Sequence, residues 1–185
     1  MKKQFLLLCL MIGFVKLSKA QTIFLAQGAK ASFFSATPVE DINANSQSMT
    51  SVLNIVNNEI AFNVPMRTFQ FKKALMQEHF NEKYIESDKF PKASFKGKIN
   101  ETIDWTKDST YNITATGILT LHGVDKPHTE KGIVIIKDGK INITSEFKVA
   151  VKDHNITIPK IVMTNIAEII DVKLNADYNP YKKEK

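Results

Sequence analysis

From Tyr111 to Leu121 the chain alternates Tyr111, Ile113, Ala115, Gly117, Leu119 and Leu121 with Asn112, Thr114, Thr116, Ile118 and Thr120. One face is mainly apolar and the other mostly polar. That two-residue period is the mark of a half-buried strand, and a helix of 3.6 residues per turn cannot satisfy it. The pattern returns at Ile141, Ile143, Ser145, Phe147, Val149 and Val151, and again at Ile170, Val172, Leu174, Ala176 and Tyr178. Between the first two lies Thr129 to Lys137, ended by Asp138-Gly139, a pair suited to a type I′ hairpin. Earlier, Ala31 to Thr37, Met49 to Val56 and Glu59 to Met66 read as strands, with Asn57-Asn58 turning between the last two, and Ala93 to Asn100 adds another. Strands of this length joined by short turns predict one meandering antiparallel sheet. An open sheet would leave two unpaired edges. Gly97, Gly117 and Gly132, placed within strands, permit the bending that closure needs. The expected fold is all-β, a closed antiparallel barrel.

One segment breaks the pattern. "FQFKKALMQEHFNEKYI", residues 69–85, is rich in strong helix formers, and Phe71, Leu75, Met76 and Phe80 fall near one helical stripe. A short helical insertion is predicted over about residues 70–83, with Pro91 limiting its extension. In an all-β chain an apolar helical face needs something to cover, and the barrel mouth or wall would serve.

Lys2 and Lys3 precede an apolar run from Phe5 to Val15, and Ser18-Lys19-Ala20 places small residues at cleavage positions. This predicts a secretory signal peptide over residues 1–20, with Gln21 as the new N-terminus. The run is too short for a membrane anchor, so no stable membrane insertion is expected. Loss of the segment's four lysines lowers the formal charge from +6 to +2. Arg67 is the only arginine, and a phosphate-binding face needs clustered Lys and Arg, so nucleic acid is not an expected partner. The only cysteine, Cys9, leaves with the leader. An exported chain without thiols must draw its stability from a core, and residues 21–180 suffice for one domain. The basic end, residues 181–185, reads as a solvated tail.

Catalytic patterns are thin. There is no G-x-S-x-G elbow, no glycine-rich phosphate loop and no cysteine nucleophile in the mature chain, so no enzyme, no metal and no cofactor are expected. His122 and His128 flank the polar stretch between two strands. Two imidazoles are too few for a closed zinc site, and the expectation is that both are solvated turn residues. Four N-x-T sequons, at Asn100, Asn112, Asn142 and Asn155, follow from a composition rich in Asn, Ile and Thr.

What remains is an inventory of Phe and Met. A barrel of about eight strands can fill its interior with side chains or keep a space for one ligand. The inward strand positions and the helix suggest Phe62, Val64, Met66, Phe71, Leu75, Leu119, Leu121 and Phe147 as the lining of an apolar tunnel.

Three stretches, "ESDKFPKASFKGKI" (residues 86–99), "GILTLHGVDKP" (residues 117–127) and "VKDHNITIP" (residues 151–159), resemble the YceI-like family in order and spacing. The resemblance runs from about Ala31 to Tyr178. It implies a lipocalin-like barrel of eight antiparallel strands with a helical insertion, enclosing an elongated apolar tunnel. It also implies a non-enzymatic periplasmic protein that holds a polyisoprenoid, an isoprenoid quinone or a fatty-acyl lipid. The family often carries an Arg-Asp pair where this chain has Leu75-Met76. The alternative is a structural or interaction module of the envelope with a filled barrel. A homodimer is left open.

Overall fold

The computed structural model describes residues 22–158 and 166–181, and the expected leader, Met163 and all of the basic tail except Tyr181 lie outside them. Alternation becomes strand wherever it was strict. The strands are β1 (Ile23–Ser35), β2 (Ile42–Asn54), β3 (Glu59–Pro65), β4 (Gln70–Phe71), β5 (Lys92–Ile99), β6 (Ser109–Leu121), β7 (Val124–Lys137), β8 (Lys140–Ala150) and β9 (Ile169–Pro180). Every pairing is antiparallel. The order β1-β9-β8-β7-β6-β5-β3-β2 closes through β1–β2, giving an eight-stranded barrel with the two-residue β4 added against β2. Closure pairs the two outermost strands with each other, which is the usual solution for a sheet of this size.

β1 and β2 both start earlier than their sequence suggests. β1 begins eight residues before Ala31 because its pattern is interrupted at Gln27-Gly28, where the register to β2 shifts and Gly28 adopts φ +67°. Such a bulge changes the inward parity. β2 begins at Ile42 because its first inward residues are Ala44 and Ser46, small side chains that carry little hydropathic signal yet are fully buried.

The turn between β6 and β7 is shorter than expected, and this matters most. His122 and Gly123 alone make it, with φ +50° and +72°, the two left-handed residues of a tight hairpin. Asp138-Gly139 turns β7 into β8 in the same way, with φ +51° and +70°. Consequently β7 starts at Val124, and His128 lies on a strand. Among the described residues, β7 pairs with β6 over its whole length, but its ladder to β8 covers only Gly132↔Ser145 to Lys137↔Lys140. Pro127 falls in the one-sided stretch, the sheet position where a residue without an N–H is tolerated.

The helical insertion is real but shorter than predicted. Phe71 is held in β4 opposite Ala44, Lys73 remains extended, and α1 covers only Ala74–His79, continued by a wider π-type turn over Phe80–Tyr84. The side-chain oxygen of Gln77 accepts from the Phe71 N–H at 3.3 Å, satisfying a backbone donor on the free side of β4. Phe33, Phe69, Phe71 and Phe80 form one aromatic cluster with ring centroids 5.0–5.9 Å apart, pinning the insertion to β1.

Candidate functional site: an apolar cavity under the helical insertion

The two ends of the barrel are built differently. At the end where β1 starts and β9 finishes, Met49, Leu53, Ile99, Val134 and Ala176 are wholly buried. The buried Tyr178 hydroxyl meets Ser51, which also donates to the Ala61 carbonyl at 2.9 Å. Burial pushes the Tyr178 phenol far above its ordinary pKa of 10. Ile103 and Trp105, from the connection between β5 and β6, pack over this end. It is solid.

Toward the other end, inward-facing Phe33, Phe62, Phe95, Phe147, Val172 and Leu174 are only half-buried. Each borders open space, although Phe62 and Phe95 also touch, with ring centroids 6.4 Å apart. The cavity measures about 140 Å³, close to the roughly 150 Å³ of an engineered apolar cavity that stays dry and takes in benzene. Met66 and Phe69 roof it. The barrel is therefore not filled by its own side chains.

Close approach of strands helps to shape this space. A Cβ at Gly117 would lie 2.2 Å from the Lys96 carbonyl oxygen and 2.5 Å from the Gly97 Cα. β5 and β6 can come this near only with glycine on both sides of the Gly97↔Gly117 pair. The next pair in that row is Gly117↔His128, so the imidazole stands opposite a residue with no side chain.

Of the residues proposed from sequence, Phe62, Val64, Met66, Leu119, Leu121 and Phe147 line the cavity. Phe71 and Leu75 do not. Phe71 is taken up by the aromatic cluster behind the roof, and Leu75 points to solvent at 59% exposure. The helix begins after Phe71, which is held in β4, and its barrel-facing side is carried by Met76 and Phe80, with Leu75 turned outward. Leu75-Met76 therefore adds nothing to the lining.

The histidine expectation is also corrected. His128 faces inward, its side chain 19% exposed, with its ring edge-on to Phe147 at 5.5 Å. Glu130, two residues on, faces the same way, and both line the cavity. His122 is not solvated either. Its side chain is 10% exposed, packed on Phe90, with Nδ1 bonded to the His154 carbonyl at 3.1 Å and Nε2 3.3 Å from Glu86 Oε2. Lys89 first, and His122 second among the side chains, hold the Glu86 carboxyl below its ordinary range. His154, buried beneath the hairpin, has Nδ1 3.2 Å from the Val124 carbonyl oxygen, and burial lowers its pKa from 6.5. His122 and His154 thus tie the hairpin to the turn after β8. A period-2 reading of His128, Glu130, Gly132, Val134 and Ile136 would have placed the imidazole inside, had the turn been drawn at two residues.

Among the described residues, no three His, Cys, Asp or Glu side chains come together to hold a metal ion, and no helix is long and apolar enough to cross a membrane.

The family model described as the YceI-like domain matches residues 23–178. No curated protein matches. Among solved structures, the chain is similar to a polyisoprenoid binding domain from Saccharophagus degradans, with 11% identity and a TM-score of 0.73, over 87% of this chain and 99% of that one. It is also similar to BcnA of Burkholderia cenocepacia, with 14% identity and a TM-score of 0.67, over 80% and 95% of the two chains. For the YCEI protein of Campylobacter jejuni the identity is 17% and the TM-score 0.56, over 76% and 85%. At these identities the likeness is one of fold.

Proposed function

The chain belongs to the YceI-like family, and from that premise we propose that it is a non-enzymatic carrier which holds one long-chain apolar amphiphile in its barrel. The observation that carries this reading is the cavity of about 140 Å³ walled by half-buried phenylalanines. A monomeric core of natural packing density leaves few voids larger than a water molecule. A space of this size, kept on one side of an otherwise solid barrel, is a feature with a use. The fold likeness to a polyisoprenoid binding domain supports the same class of ligand, a polyisoprenoid, an isoprenoid quinone or a fatty-acyl chain.

Transfer of each methylene out of water is worth roughly 0.8 kcal/mol. Ten or so buried carbons would offset association costs of several kcal/mol and leave micromolar binding or better. A cavity of this volume takes only part of such a tail, so loading couples to movement of Phe62, Phe95 and Phe147. The site of action is the periplasm, a reading that rests on the Lys2-Lys3, Phe5–Val15 and Ser18-Lys19-Ala20 pattern.

Organic extraction and mass spectrometry of the protein purified from its native host test the proposal. A long-chain lipid at about one per chain is expected. An empty chain that also fails to bind a fluorescent polyprenyl probe would overturn it and favour the interaction module.

A further inference from the structure

The cavity wall is apolar almost throughout, which makes its two large polar side chains informative. His128 and Glu130 occupy successive inward positions on the stretch of β7 that has no described ladder to β8. The His128 Nε2 atom is buried and has no hydrogen-bond partner. Glu130 Oε1 lies 3.1 Å from it, yet out of line for a hydrogen bond. Gly117, opposite, leaves open the space in front of the ring, and Phe147 fixes the ring edge-on. A buried polar atom left unpaired is a standing cost to the fold. Here that atom and the neighbouring Glu130 carboxylate both border a space sized for a ligand.

Building on the carrier reading above, we propose that His128 and Glu130 form a head-group site, and that the bound amphiphile ends in a neutral hydroxyl. His128 Nε2 and Glu130 Oε1 are close enough that one hydroxyl on their cavity side can reach both. Its oxygen accepts from the imidazole N–H, and its proton is donated to the Glu130 carboxylate, which satisfies both groups at once.

Charge excludes the other common ends. Among the described residues, Lys131 is the only lysine or arginine at the cavity wall. Its side chain is exposed, by alternation on the outer face, and its carbonyl takes the Ser145 hydroxyl at 2.7 Å. A diphosphate or fatty carboxylate would meet Glu130 with no inward cation to balance it. A plain hydrocarbon would leave the buried His128 Nε2 without a partner.

Three probes of equal tail length separate these cases: geranylgeraniol, the corresponding C20 hydrocarbon, and geranylgeranyl diphosphate. Each is measured by displacement of a fluorescent polyprenyl probe from the delipidated protein. The alcohol is expected to bind about tenfold more tightly than either of the others, the effect of one well-made polar contact in a dry site. H128L should bring the ratio of alcohol to hydrocarbon affinity down toward one. E130Q, which keeps the shape and removes the charge, should narrow the gap between alcohol and diphosphate. Equal binding of alcohol and hydrocarbon by the wild type would overturn the head-group site and leave the carrier reading standing, as would tighter binding of the diphosphate. Failure of all three to bind would overturn both.

Discussion

The barrel has a solid half and a hollow half, cut from the same alternating strands. β6 contributes Ile113, where the two halves meet, and Leu119 and Leu121 deeper in the hollow one, all three buried and at the cavity wall. The difference lies in what stands opposite. In the solid half, strands present branched and aromatic side chains of matching size, Leu53, Ile99, Val134 and Tyr178 among them, and these interdigitate. In the hollow half, large phenylalanines stand among Ala93, Ala115, Gly117 and Gly132, and the roof is held off by its own aromatic cluster. A cavity here is produced by mismatch of neighbouring sizes, with no loss of apolar character. Hydropathy alone would not distinguish the halves.

The sharpest way to break this comparison is to truncate one large residue in each half. Leu53→Ala removes a wholly buried side chain and is expected to cost about 2–5 kcal/mol in denaturant unfolding, transfer and cavity terms together. Phe62→Ala, which in a filled core would cost about 3–5 kcal/mol, is expected to cost less than about 2 because the ring already borders empty space. Equal losses at the two positions would contradict the division.

Filling the void tests the same contrast from the other side. Ala115→Phe places a ring in the cavity and is expected to change stability by no more than about 1 kcal/mol, while abolishing displacement of the polyprenyl probe. Retained binding would mean that the ligand lies elsewhere.

A smaller effect concerns pH. Burial lowers the pKa of His154 from 6.5 in the folded chain. Between the folded value and 6.5 the unfolded state therefore binds more protons, so this contribution is complete above about pH 6.5 and is lost as pH falls through the lower value. Glu86 and Glu101, also lowered, act in a more acidic window, below their ordinary 4.5. Melting temperature should drop on acidification from pH 7 toward 5, and His154→Gln should flatten that segment of the curve. The smallest effect is at Leu75. Leu75→Ala, on the exposed side of α1, is expected to stay within about 0.5 kcal/mol in stability and to leave probe binding unchanged, whereas a lining role would show in binding.

Alternation by itself determined the class and most of the wall. A period of two can be satisfied only by strands with a buried face, so the inward positions of β3, β6 and β8 were legible, and with them Phe62, Val64, Leu119, Leu121 and Phe147, while Met66 falls in the turn just after β3. Helix-forming composition located the insertion, but its start was set by backbone pairing between Phe71 and Ala44, two segments distant in the sequence. That contact moved Phe71 and Leu75 off the cavity.

The turn at His122-Gly123 was a matter of tertiary structure too. A left-handed His is uncommon, and this one is held by Phe90 and Glu86 from one turn and by the His154 carbonyl from another. Its position decides which way His128 faces. The void itself lay beyond sequence reasoning, because packing density is a property of opposed surfaces and no single strand records what stands across from it.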